Sequence, residues 1–153
     1  PLGVLKMGEA VDLSYGQLFL GLRGGCLGET CILALLIGGI YLIAKKIISP
    51  IIPVAYLATV FVASACFGRD PIFELLTGGV VLGAFFCATD YVTSPVTNKG
   101  KLIFGIGCGV LTILIRVFAN YPEGASFSIL LMNILTPHID ALTMSKPFGG
   151  AKE

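Results

Sequence analysis

The sequence predicts an all-α integral membrane protein of five transmembrane helices, and three observations point there. Hydrophobic residues make up 56% of the chain and charged residues 12%, where a soluble domain carries about 25% charged residues. Mean hydropathy is +0.93. The apolar residues also fall into five uncharged runs separated by ionisable groups, as expected of helices threading a bilayer. So few polar groups cannot cover a water-facing surface, which excludes an ordinary cytosolic enzyme domain and a disordered chain. A formal net charge of +1, with no basic cluster beyond a pair of lysines, argues against nucleic acid. The expected partner is the lipid bilayer.

The first run, 30–44, ends at Lys45-Lys46, and the second, 47–68, at Arg69-Asp70. The third, 75–89, lies between Glu74 and Asp90, the fourth, 102–115, between Lys101 and Arg116, and the fifth, 124–139, between Glu123 and Asp140. A spanning helix needs about 20 apolar residues, which only the second run supplies unaided. The others span roughly 21–24 Å as helix, so Glu29, Glu74, Asp90, Arg116 and Asp140 are expected at or inside the hydrocarbon edge. Intramembrane ionisable groups are costly and are functional candidates by default. For Arg116 and Glu74 the simpler expectation is a tilted helix or a thinned bilayer, with Arg116 snorkelling to the interface. Residues 1–28 are mixed and glycine-rich and read as an extracytoplasmic or interfacial segment. Residues 29–145 form the five-helix domain, and 146–153 a cytoplasmic tail.

Positive charge orients the spans. Lys45, Lys46, Lys99, Lys101, Lys146 and Lys152 alternate onto one side, and Lys6, Arg23, Arg69 and Arg116 onto the other. The C-terminus is therefore expected in the cytoplasm and the start of the chain outside. Gly79-x-x-x-Gly83 and Gly105-x-x-x-Gly109 read as close-packing stripes, and Pro50, Pro53 and Pro137 as helix ends or kinks. The five cysteines, Cys26, Cys31, Cys66, Cys87 and Cys108, have neither disulfide nor zinc spacing. Four of them lie in or beside apolar runs and read as small hydrophobes, with an iron–sulfur ligand role for Cys26 or Cys108 as the lesser alternative.

Three segments could carry chemistry. Gly24-Gly25-Cys26-Leu27-Gly28-Glu29-Thr30 would offer backbone N–H groups to an anion at a helix start, or simply a favourable first-turn charge. Ala88-Thr89-Asp90-Tyr91-Val92-Thr93-Ser94-Pro95 gathers oxygen ligands for a cation or proton relay, or forms a helix stop with a solvated Asp90. Tyr121-Pro122-Glu123-Gly124 leads into a span bearing Asn133, Thr136, His138 and Asp140, of which Asp140 is the better cation-path candidate and His138 a hydrogen-bonded structural group. No nucleophile–base pair or metal-ligand cluster is visible, so no independent catalytic site is expected.

Taken together, three stretches carry a resemblance. Gly25-Cys26-Leu27-Gly28-Glu29-Thr30 running into Leu33-Ala34-Leu35-Leu36-Ile37-Gly38-Gly39 resembles the D subunit of the Rnf electron-transport complex. So do Phe86-Cys87-Ala88-Thr89-Asp90-Tyr91-Val92-Thr93-Ser94-Pro95-Val96-Thr97-Asn98-Lys99-Gly100-Lys101 and the region from Arg116-Val117-Phe118 through Tyr121-Pro122-Glu123-Gly124 to Leu131-Met132-Asn133-Ile134-Leu135-Thr136-Pro137. The B subunit of the Na⁺-pumping NADH:quinone reductase shares the pattern more loosely. The chain resembles the C-terminal half of such a subunit.

The resemblance implies a membrane electron carrier within an ion-translocating ferredoxin:NAD⁺ oxidoreductase, assembled with A-, B-, C-, E- and G-type subunits in the inner membrane and coupled to Na⁺ or H⁺ transport. It implies one half of a ten-helix inverted-repeat fold similar to urea transporters. It also implies a covalent FMN, held by a phosphoester to the Thr of a Ser-Gly-Ala-Thr motif that Pro-Leu-Gly follows in the family. The chain opens Pro1-Leu2-Gly3, so the flavin-bearing Thr is expected immediately before Pro1, outside this sequence. With Pro1 on the outer side, Leu2, Gly28, Glu29, Thr30, Tyr121 and Glu123 are the expected flavin-lining residues. Asp90 and Asp140 match acidic positions of the family motifs and are the expected cation-path residues. Riboflavin, a second flavin in the related quinone reductase subunit, is a further candidate cofactor. The competing readings are half of a channel or transporter for a small polar solute, and a structural membrane scaffold.

Overall fold

A computed structural model describes residues 31–77, 79–119 and 124–144. These residues are helical or in turns, with no strand among them. Helix α1, Ile32–Ala44, follows an extended Cys31. It ends where Lys46 adopts φ 57° and Lys46 N–H and Ile47 N–H reach back to the carbonyls of Ile43 and Leu42. That is the double bond of a Schellman end, with lysine where glycine is usual. Helix α2, Ile51–Cys66, closes in the same way, with Gly68 at φ +67° supplying the left-handed residue.

The expectation that Pro50 and Pro53 end or kink helices is corrected, because both sit at the start of α2, where a missing N–H costs nothing. Pro137 lies inside a helix that continues past it.

The third run is not one helix. Helix α3, Pro71–Leu76, starts at Asp70, whose side chain accepts from Ile72 N–H at 3.1 Å and Phe73 N–H at 3.4 Å. The chain then extends at Thr77 and turns at Gly79, φ +66°. It resumes as a short α4, Val80–Leu82, and passes into a π-helical turn, Gly83–Cys87. Gly79 is therefore a turn residue and not the packing glycine its spacing predicts. Helix α5, Asn98–Phe118, is capped by Thr97, and helix α6, Ala125–Thr143, closes the described chain. These two, with 21 and 19 residues, are long and apolar enough to cross a membrane. α1 and α2 are shorter apolar helices.

The Gly105 and Gly109 stripe does what its spacing predicts. A Cβ at Gly105 would lie 3.0 Å from the Ile52 carbonyl, and one at Gly109 3.1 Å from the Tyr56 carbonyl, so α5 lies almost backbone to backbone on α2. The order of these contacts makes α2 and α5 parallel. Thr112 opposite Ser128 and Thr97 opposite Thr143 make α6 antiparallel to α5. One end of the bundle thus gathers residues 45–50, 90–97 and 140–144, and the other gathers 67–77, 116–119 and 124–125. Lys45, Lys46, Lys99 and Lys101 belong to the first end, and Arg69 and Arg116 to the second.

Three buried hydroxyls tie α2, α5 and α6 together. Tyr56 Oη is 2.7 Å from Thr112 Oγ1 and 3.4 Å from Ser128 Oγ, and Thr112 Oγ1 is 2.7 Å from Ser128 Oγ. Tyr56→Phe keeps the ring and removes one donor. It is expected to cost about 0.6–1.7 kcal/mol, as interhelical hydrogen bonds in membranes do, read as a lower thermal midpoint in detergent.

Candidate functional site

Two polar regions stand out, one at each end of the bundle. At the end holding residues 67–77, Glu74 and Arg116 are each only 1% exposed. Arg116 Nη1 meets Glu74 Oε2 at 2.5 Å and donates to the Glu74 carbonyl at 2.8 Å, while Nη2 donates to the Thr77 carbonyl at 2.9 Å. Arg69 Nε closes the far side of the carboxylate at 2.6 Å. The break after α3 frees carbonyls that no following helical N–H can serve, and the planar guanidinium supplies them. Arg116 therefore does not snorkel. It turns inward to satisfy the broken third run, and the tilt-or-thinning expectation for Arg116 and Glu74 is replaced by a buried ion pair.

Beside this cluster lies a shallow, half-open cleft lined by Ile32 and Leu35 of α1 and by Leu75, Leu76, Thr77 and Gly79 to Leu82 of the broken third run. Its walls are apolar except at Thr77, whose hydroxyl is used by the Phe73 carbonyl at 2.6 Å. The described residues thus offer an apolar slot but no charged group turned toward a phosphate, and by themselves do not compose a flavin phosphate site. The expected flavin-lining residues Leu2, Gly28, Glu29, Thr30, Tyr121 and Glu123 all lie outside the described residues, as does Cys26.

At the other end, Asp90 is exposed and its Oδ2 accepts from the Thr93 hydroxyl at 3.2 Å. Asp140, half-buried on α6, accepts the Val96 N–H at 3.1 Å through Oδ1. The structure thus brings the two predicted cation-path residues to the same turn. Thr97 and Thr143, which the sequence did not single out, join that turn to α6 through hydroxyls 2.6 Å apart. The paired flanking hydroxyls were the available signal, but their partner lies 46 residues away. Asn133 lies half-buried on α6 with a buried side-chain oxygen that lacks a hydrogen-bond partner, and His138 is exposed. Cys108 is buried, Cys31 half-buried, and Cys66 and Cys87 exposed, all as free thiols. Among the described residues no group of three His, Cys, Asp or Glu side chains could hold a metal ion.

Comparison with known proteins identifies the framework. The D subunit of the Na⁺-translocating ferredoxin:NAD⁺ oxidoreductase complex of Acetobacterium woodii is 53% identical over 99% of this chain and 49% of its own length. The D subunit of the proton-translocating ferredoxin:NAD⁺ oxidoreductase complex of Clostridium ljungdahlii is 46% identical over 97% of this chain and 50% of its own. The D subunit of the ion-translocating oxidoreductase complex of Stutzerimonas stutzeri is 46% identical over 86% of this chain and 39% of its own. The chain spans about half the length of the curated relatives it matches. Residues 1–149 match the NQR2, RnfD, RnfE family, and the chain belongs to that family.

Proposed function

We propose that this chain is the electron-carrying membrane portion of a D-type subunit in an ion-translocating ferredoxin:NAD⁺ oxidoreductase complex, working beside A-, B-, C-, E- and G-type subunits in the inner membrane. The observation that carries the reading is the 53% identity to the Acetobacterium woodii protein over 99% of the chain. On this reading the chain crosses the bilayer five times as half of an inverted-repeat, urea-transporter-like fold. The lysine-bearing end and the C-terminus face the cytoplasm, an orientation supported by the gathering of Lys45, Lys46, Lys99 and Lys101 at one end of the bundle.

The flavin of this proposal is an FMN esterified to the Thr that precedes Pro1 in the family pattern. Leu2, Gly28, Glu29, Thr30, Tyr121 and Glu123 line it, and riboflavin is the candidate second flavin. A bound flavin supplies one- and two-electron chemistry, and the protein supplies distance, burial and electrostatics. The shallow apolar cleft between α1 and the broken third run, on the outer side in this orientation, supports the reading only as an apolar surface against which a flat ring could lie. Asp90 and Asp140 are proposed for the cation path.

The test is in-gel flavin fluorescence of the full-length protein after denaturation. Retained fluorescence, lost when the Thr before Pro1 is replaced by Val, is the expected result. A colourless protein from a flavin-replete host would refute the flavin reading. Asp90→Asn is expected to lower Na⁺ or H⁺ transport by at least about fivefold, the low end of a coupling free energy, with in-gel flavin fluorescence unchanged.

A further inference from the structure

We propose that Asp140 is a positioning residue: its Oδ1, acting as a hydrogen-bond acceptor, docks the turn that carries Asp90 onto the end of α6. Two attachments hold that turn, and both leave one face of α6, since residues three apart on a helix are neighbours. Asp140 Oδ1 takes the Val96 N–H at 3.1 Å. Three residues on, Thr143 Oγ1 takes the Thr97 hydroxyl at 2.6 Å and passes its own proton to the Ile139 carbonyl at 2.8 Å.

Thr97 also accepts the Gly100 N–H at 3.0 Å as the cap of α5. Every hydroxyl in the relay from Gly100 to Ile139 therefore donates once and accepts once. Close packing reinforces the attachment. A Cβ on Gly100 would meet Pro95 Cβ at 2.9 Å and Thr143 Oγ1 at 3.1 Å, so residues 95–97 are clamped between the start of α5 and the end of α6. Upstream, the turn is closed on itself by the Ser94 N–H to the Asp90 carbonyl at 3.0 Å and by Thr93 to the Asp90 carboxylate at 3.2 Å. The tip at Tyr91 and Val92 is exposed. A displacement at Val96 is therefore passed to Asp90 through a compact turn whose firm attachment is to α6.

The functional consequence rests on the cation-path reading above: Asp140 serves that path by placing Asp90. An acceptor at Oδ1 is what the docking needs, and asparagine retains one where alanine does not.

The experiment uses the full-length protein in its assembled complex, reconstituted in liposomes. Amide hydrogen exchange is followed in the peptide spanning 91–97, alongside ion transport. Asp140→Ala is expected to speed exchange there roughly tenfold, the loss of about one net hydrogen bond, and Asp140→Asn to stay within about threefold of the parent. Transport is expected to fall further in Asp140→Ala than in Asp140→Asn. Exchange in 102–113 of α5 reports the fold in every variant. Thr143→Val, which changes no charge, is expected to loosen the same peptide and carries the test if Asp140→Ala fails to fold. Unchanged exchange at 91–97 in both Asp140→Ala and Thr143→Val would overturn the proposal. So would equal loss of transport in the two Asp140 variants while Asp140→Asn keeps the turn protected, since charge would then be what matters. Unaltered transport in Asp90→Asn, with the Asp140 series behaving as expected, defeats the cation-path reading and leaves the docking standing.

Discussion

Arg116→Met is expected to destabilise the bundle by about 3–5 kcal/mol, the cost of breaking a buried ion pair by removing one partner. Among the described residues, the Glu74 carboxylate and the carbonyls of Glu74 and Thr77 each lose a donor. Arg69 remains on the other carboxylate oxygen, but it lies toward the surface, with 28% of its side chain exposed, and cannot serve the carbonyls as well. Lysine is a poor substitute because one compact ammonium does not reproduce the planar fork. The double variant Arg116→Met/Glu74→Met is expected to recover part of the loss by removing the buried charge altogether. It does not recover all of it, since the two carbonyls at the helix break stay bare. A thermal-melt double-mutant cycle in detergent measures this. Additive losses would show that the pair is not coupled.

Gly109→Val is expected to cost about 2–3 kcal/mol, at the upper end of ordinary overpacking. Its Cβ would stand 2.6 Å from Thr59 Cβ and 3.1 Å from the Tyr56 carbonyl. A backbone carbonyl cannot swing aside, so α2 and α5 must separate along their length. Gly107, on a neighbouring face of the same helix, provides the contrast. The atoms nearest a Cβ there belong to the Met132 side chain, a flexible chain that can re-pack. Gly107→Ala is therefore expected to fold with a midpoint close to the parent, and Gly109→Val well below it, in the same thermal assay.

How much of this was legible in the sequence depends on whether the cause is local. Four of the five uncharged runs carry a single continuous helix, at Ile32–Ala44, Ile51–Cys66, Asn98–Phe118 and Ala125–Thr143, because apolar composition and flanking charge are properties of the run itself. The Gly105 and Gly109 stripe was legible because residues four apart share a helix face. The same spacing misled at Gly79, where the left-handed backbone makes a turn and the third run breaks. Arg116 and Glu74 each looked like a boundary charge. Their partnership spans 42 residues, and nothing near either one announces it. Asp90 and Asp140 were visible as acids at run ends, but the hydrogen bond that joins their surroundings links Asp140 to a backbone amide 44 residues away, which side-chain chemistry alone does not reveal.

The hydroxyl triangle between α2, α5 and α6 carries a last consequence. Thr112 can give its proton to the Cys108 carbonyl at 2.7 Å, and Ser128 to the Ala125 carbonyl at 2.8 Å. If both do so, neither has a proton left for the 2.7 Å contact between them. Tyr56, Thr112 and Ser128 own one proton apiece, fewer than the five oxygen contacts formed by the triangle and its two helix carbonyls. Either the threonine or the serine must turn from its helix carbonyl toward the other, and one arrangement of heavy atoms accommodates both choices. The same oxygen positions are compatible with more than one hydrogen-bond pattern, so this junction can keep three helices joined while its hydroxyl hydrogens exchange roles.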